Sequence, residues 1–223
     1  MKEPKLIKKN RIRPFQYLNE VISLRRLRSD ADFWETMKPV FENSMSTGCD
    51  FSELLRIHNY IKKVKPTSIL ELGSGVSTAV ICHAIHSLQG EGYKCNFTSL
   101  EESPDYHEQL QKIFPSNLKG YVEMICSETV DREIKGGYIS RVYKDKPINR
   151  YDFVFIDGPQ VPKSRNYLDG DILDVMEWND GPIVAFLDQR VHTRRALRKL
   201  IPSATVRGGK DFTVFHIPEL KFR

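Results

Sequence analysis

The sequence predicts an α/β fold, a three-layer sandwich around a seven-stranded, mostly parallel sheet that closes with an antiparallel hairpin. Three observations carry this. After Pro66, short apolar segments rich in β-branched and aromatic residues alternate with segments of helical period. The apolar segments are short, as strands buried inside a sheet should be. The last two are joined only by Gly208-Gly209-Lys210-Asp211, a link that suits a hairpin and not a parallel crossover.

Residues 1–30 carry nine Lys/Arg against three acids, so this +6 exceeds the +5 of the whole chain and leaves the body near neutral. Such a basic arm reads either as a solvated end or as a contact for RNA, an acidic partner or an anionic substrate. Its few aromatics, Phe15 and Tyr17, do not make a base-stacking platform. Residues 31–46 and 51–65 read as helices. In the second, Phe51, Leu54, Leu55, Ile57, His58, Ile61 and Val64 recur at helical spacing, Asp50 or Ser52 caps the start, and Pro66 ends it. The expected strands are 68–72, 96–100, 121–126, 152–156, 183–187, 205–207 and 212–217. The expected helices between them are 77–88, 104–114, 164–178 and 191–200. The chain thus divides into an extension, 1–50, and a ligand-binding domain, 51–223.

A composition of 40 % hydrophobic and 28 % charged residues over 223 positions supports a real core and argues against disorder. Cys49, Cys82, Cys95 and Cys126 form no CxxC and no zinc spacing, which points to a reducing, cytoplasmic setting. Cys82 and Cys126 lie in apolar runs and are expected to pack as small hydrophobes. No apolar run approaches a membrane span, and no apolar segment follows the N-terminal charges as a secretory signal requires.

The functional signal begins in SILELGSGVSTAVI, residues 68–81: a strand, an acid, two glycines one residue apart, then a helix. A triphosphate loop is excluded, because Val76-Ser77 follows Gly75 where Lys-Ser/Thr is needed. A pyrophosphate is disfavoured by Glu71 just before the turn and by Thr78 in the third glycine position. A cofactor with a cationic end and no phosphate, such as S-adenosylmethionine, suits the turn better: Glu71 attracts its ammonium and backbone N–H groups receive its carboxylate. Downstream, Glu101 ends the second strand where a carboxylate accepts from both ribose hydroxyls, Ser127 and Glu128 end the third beside the adenine, and Asp157 ends the fourth.

With ILELGSGVST, TSLEES, ICSE and DFVFIDGP in order, the sequence resembles the class I S-adenosylmethionine-dependent methyltransferases over residues 51–217. The resemblance implies a Rossmann-like sheet whose last strand is antiparallel. It places Gly73, Ser74 and Gly75 along the methionine part, Glu101 on the ribose, Ser127 and Glu128 at the adenine and Asp157 over the cleft. Asp157-Gly158-Pro159-Gln160 departs from the Asn/Asp-Pro-Pro-Tyr/Phe of nucleic-acid amine methylation. FIDGP followed by FLDQR is closer to small-molecule O-methyltransferases of the catechol type. That branch implies Mg²⁺ held by Asp157, Asp188 and Gln189, with Gln189 standing for an Asn and Lys163 for a catalytic Lys three positions earlier.

A metal-free transfer is the alternative, with His192 as the best-placed base. Arg165, Arg190, Arg194, Arg195 and Arg198 then suit an acidic acceptor. Two further readings stay open: an RNA- or protein-modifying enzyme that uses the basic arm, and a non-catalytic methyltransferase-like subunit. The helices before Pro66 serve either as a lid or as a homodimer interface.

Overall fold

A computed structural model describes residues 14–45, 50–209 and 212–219. Contacts divide the chain into a helical unit (the described part of 1–65, with 75–94 and 108–122) and a sheet unit (66–74, 95–107 and the described part of 123–223).

The helical unit holds α1 (Pro14–Ser29), α2 (Ala31–Asn43), α3 (Phe51–Val64) and α4 (Val76–Ser87). Residues 14–29, read from sequence as part of the basic arm, are helical because Glu20, Ser23, Leu24 and Leu27 form a buried stripe. Arg26 and Arg28 sit in the last turn, where cations oppose the helix dipole. Lys2, Lys5, Lys8, Lys9, Arg11 and Arg13 lie outside the described residues, as does Cys49. Asp30 caps α2 by accepting from Phe33 N–H at 3.1 Å. At the start of α3, Asp50 and Glu53 form a capping box. Glu20 of α1 adds a second cap, accepting from Phe51 N–H at 2.6 Å and Ser52 N–H at 3.2 Å. Val76 through Ile85 of α4 are all buried, and Thr78 Oγ1 accepts the Gly75 N–H at 2.9 Å. Position 78 thus caps a helix where a dinucleotide fingerprint has glycine.

The sheet unit contains β1 (Ser68–Leu72), β2 (Asn96–Glu101), β3 (Glu123–Cys126), β4 (Thr129–Ile134), β5 (Tyr138–Tyr143), β6 (Phe153–Ile156), β7 (Tyr167–Asp169), α6 (Asp171–Trp178), β8 (Ile183–Asp188), α7 (Val191–Leu200), β9 (Thr205–Gly208) and β10 (Phe212–Ile217). Helix α5 (Pro104–Ile113) follows β2. Seven strands form one sheet in the order β3-β2-β1-β6-β8-β10-β9. It is parallel except for β10, which runs antiparallel to both β8 and β9. This is the sheet and the closing hairpin that the sequence predicts. Order reverses between β1 and β6, where open α/β sheets bind ligands. Leu70, Leu72, Val154, Ile156, Ala185 and Leu187 point to one face and pack with Ile172 and Val175 of α6 and Ala196 and Leu197 of α7. On the other face, Phe186 meets Phe153 edge-on at 4.9 Å and Phe212 at 5.0 Å.

Two stretches differ from the sequence reading. Residues 129–143, left without an element, form the β4–β5 hairpin, and residues 164–178, read as one helix, split into β7 and α6. β4, β5 and β7 make a second, three-stranded sheet. Tyr167 and Leu168 pair with β5, and Gly170 N–H continues that ladder to Arg141 O at 3.0 Å, so helix begins only at Asp171. Tyr143 and Leu168 belong to the main core, so a hairpin does here what a crossover helix does elsewhere.

Candidate functional site

The carboxyl ends of the strands carry acids on one face. Strand register puts Glu71 beside Ser99 and Phe155, and Phe155 beside Phe186. Glu71, Glu101, Asp157 and Asp188 therefore project to the same side. At the switch point the backbones of Gly73 and Gly158 cross. Gly73 has φ +94°, and a Cβ there would lie 2.8 Å from both Asp157 C and Gly158 N; a Cβ on Gly158 would lie 2.6 Å from Gly73 Cα. Gly73 N–H is held by Leu100 O at 2.9 Å and Asp157 N–H by Leu72 O at 2.8 Å. The glycine at 73 is thus required by the β6 loop itself, and any close approach by a ligand comes on top of that.

Glu71 is fully buried and accepts from Ser99 Oγ at 2.6 Å, and Ser99 Oγ meets Ser74 Oγ at 2.7 Å. It braces the turn from beneath. Glu101 is also buried, accepts from Ser103 N–H at 2.8 Å, and has its pKa raised by burial against the pull of nearby backbone N–H groups. Ser127 N–H donates to Glu101 O at 2.9 Å, but the Ser127 hydroxyl accepts from Asp145 N–H at 2.9 Å and donates to Glu128 O at 3.1 Å. Its side chain is committed to the segment after β5. Glu128 is exposed, with Lys144 Nζ 3.9 Å away. Cys126, expected to be packed, is exposed: it ends the edge strand β3 on the acidic face, near Glu101. Gly75 opens α4 in the helical unit.

At β6 and β8, Asp157 shares a hydrogen bond with Asp188. Burial first, then the Asp188 charge, hold the Asp157 carboxyl well above the usual range, and Arg190 opposes both. The sequence assigns Arg190 to an acidic acceptor. Instead its Nη1 donates to Pro159 O at 2.6 Å and Asp169 Oδ1 at 2.5 Å, and its Nη2 donates to Asp157 O. Asp169 also accepts from Thr193 Oγ1, and burial raises its pKa to about 6 despite Arg190. Glu102, which no sequence motif singles out, accepts from Gln160 N–H at 2.9 Å and so ties the end of β2 to the β6 loop.

Residues 160–163 and 189–193 line a cavity of about 570 Å³. It brings together Lys163, Gln189 and His192; neither Asp157 nor Asp188 lines it.

No protein-family model and no curated protein matches the sequence. Solved structures do resemble it. The cofactor-bound protein Rv0187 from MTB aligns with a TM-score of 0.52 at 15 % identity, over 95 % of this chain and 100 % of that one. A candidate caffeoyl-CoA O-methyltransferase from Staphylococcus aureus gives 0.52 at 14 % identity, over 90 % and 99 %. The SAH-bound methyltransferase PaMTH1 of Podospora anserina gives 0.50 at 13 % identity, over 94 % and 100 %. The chain has the class I methyltransferase fold. No helix among the described residues is long and apolar enough to cross a membrane.

In this methyltransferase fold Mg²⁺ would need Asp157, Asp188 and Gln189 to converge with open coordination sites. They do not fit it. Gln189 is exposed along a cavity that neither aspartate lines, so the three do not converge. Arg190 Nη2 stands 3.8 Å from Asp157 Oδ1. Among the described residues no cluster of three or more His, Cys, Asp and Glu is disposed to hold a metal.

Proposed function

We propose that this chain is a methyltransferase that moves a methyl group from S-adenosylmethionine to a hydroxyl of a small molecule. The observation that carries the reading is the buried Glu101 beside the Gly73–Gly158 crossing, at the switch point of the sheet. Glu101 retains acceptor capacity for a ribose diol, and the Gly73–Ser74 turn follows β1 at the same end of the sheet. Burial and the neighbouring Asp188 raise the pKa of Asp157, which ends β6 on the same side as Glu101. Bound there, S-adenosylmethionine supplies an electrophilic methyl group.

The remaining work falls to side chains of the cavity. His192 lines the cavity and is the side chain there suited to take the acceptor's proton. Lys163 is exposed on the opposite segment, and no acid lines the cavity, so an acceptor with a carboxylate or phosphate substituent suits it best. Lys163 thereby orients the acceptor, and the gain in rate comes chiefly from that orientation. Residues 51–223 form the catalytic domain in this reading, with 1–50 an extension to it.

Calorimetric titration of S-adenosylhomocysteine tests the reading. Micromolar binding is expected, weakened about tenfold or more by Glu101→Ala, the loss of charge-assisted hydrogen bonds. No binding, or binding indifferent to Glu101, would overturn it.

A further inference from the structure

The ends of β6 and β8 carry a cation of their own. Arg190 follows Asp188-Gln189 directly, and its guanidinium is bonded to the Asp157 carbonyl, the Pro159 carbonyl and the Asp169 carboxylate. It lies 3.8 Å from Asp157 Oδ1 and is mostly buried. A guanidinium stays charged at any working pH, and its planar fork is matched to such a set of acceptors. It cannot swing aside without stranding Asp169, which is wholly buried. A hard dication asks for near-octahedral oxygen ligands with no second cation on the same carboxylate.

We propose that Arg190 stands in the place of a divalent ion at this site. Its fixed charge neutralises the Asp157–Asp188 pair and anchors the loop after β6. It repels Mg²⁺ or Mn²⁺ from the two carboxylates. Arg190 is a positioning residue here: it acts on the site through Asp157 and the backbone of residues 157–159. On the methyltransferase reading, transfer then needs no metal. The exclusion of metal holds independently of that reading.

Mn²⁺ titration followed by electron paramagnetic resonance tests this, since the free aquo ion gives the signal and the bound ion loses it. Wild type is compared with Arg190→Lys, Asp169→Asn, the double variant Asp169→Asn/Arg190→Gln, and Asp188→Asn both alone and on the double-variant background. The double variant removes the charge together with its buried partner, so no carboxylate is left stranded. Wild type, Arg190→Lys and Asp169→Asn are expected to leave the Mn²⁺ signal unchanged. The double variant should take up one Mn²⁺ with affinity raised about tenfold or more, the usual scale of an outer-sphere change, and Asp188→Asn on that background should abolish the gain. Uptake of one Mn²⁺ by the wild type, lost in Asp188→Asn, would overturn the proposal. So would a folded double variant with no gain. S-adenosylhomocysteine binding, measured on the same samples with a chelator, reports on the methyltransferase reading separately.

Discussion

His58 and His83 are 5 % and 1 % exposed in the helical unit, Asp169 and Asp171 both 0 % in the sheet unit, and burial moves the two pairs in opposite directions. His58 Nε2 meets His83 Nδ1 at 3.3 Å, His83 Nε2 meets Asp32 Oδ2 at 3.1 Å, and Phe33 sets its ring edge-on to both imidazoles. Burial, then the neighbouring His83 and Lys62, holds the His58 pKa down at about 4, from an ordinary 6.5. Burial raises Asp169 and Asp171 from 3.8 to about 6, against the attraction of Arg190 and Lys146 respectively. In each unit the neutral form is favoured, whichever sign the charged form would carry. The linkage therefore has opposite slopes. His58 binds its proton less tightly folded than unfolded, so its contribution is present above pH 6.5 and is lost as pH falls toward 4. The two aspartic acids bind theirs more tightly when folded, so their contribution is present below pH 3.8 and is lost as pH rises through 6.

Trp34 lies in α2 and Trp178 in α6, one tryptophan in each unit. The largest expected effect is that of Arg190→Met, which leaves Asp169 buried without its cation. Urea unfolding followed at Trp178 should show a loss of about 3–5 kcal/mol at pH 7, as for other broken buried pairs. The loss should shrink at pH 5, where Asp169 takes up a proton; an equal loss at both values would break the contrast. Next comes acidification of the helical unit. Between pH 7 and 4, Trp34 should report a loss of about 3 kcal/mol from the His58 shift, by the usual conversion of pKa to free energy. His58→Gln should flatten that slope, and an unchanged slope would assign it elsewhere.

Glu20→Gln should cost about 1 kcal/mol, since an amide oxygen still accepts at the α3 N-terminus but no longer opposes the dipole. Unfolding at Trp34 measures it, and Glu20→Ala should cost more. Smallest in stability is Lys163→Gln, expected within about 0.5 kcal/mol of wild type for an exposed side chain. Its effect should instead fall on ligands: binding of phenyl phosphate should weaken while that of phenol stays the same. Equal weakening of both would remove the case for an acidic acceptor.

Sequence made the sheet legible because its central strands β1, β6 and β8 are short, largely apolar runs, while the edge strand β9, Thr205–Gly208, is marked chiefly by the glycine link to β10. Gly73, Glu101 and Asp157 were legible for a related reason: each sits at a strand end, and strand ends can be counted. The β4–β5 hairpin was harder to see, since Asp131, Arg132 and Glu133 dilute the β-branched signal, although Gly136-Gly137 between alternating segments was a usable turn cue. The part of Arg190 could not be read at all. Its acceptors come from residues 157, 159 and 169, and no local pattern records a bond across such separations. The same holds for Ser127, whose hydroxyl is claimed by Asp145, 18 positions on.

The Gly136–Gly137 turn offers a practical handle. Both residues are exposed, and Gly137 has nothing within 4 Å of where a side chain would begin. The hairpin it closes stands outside the seven-stranded sheet. A peptide tag or a fluorophore attachment site spliced in at this tip would leave the ladder register and the strand-end carboxylates as they are. Immobilising the protein through it would leave the strand-end ligand site open to what it meets.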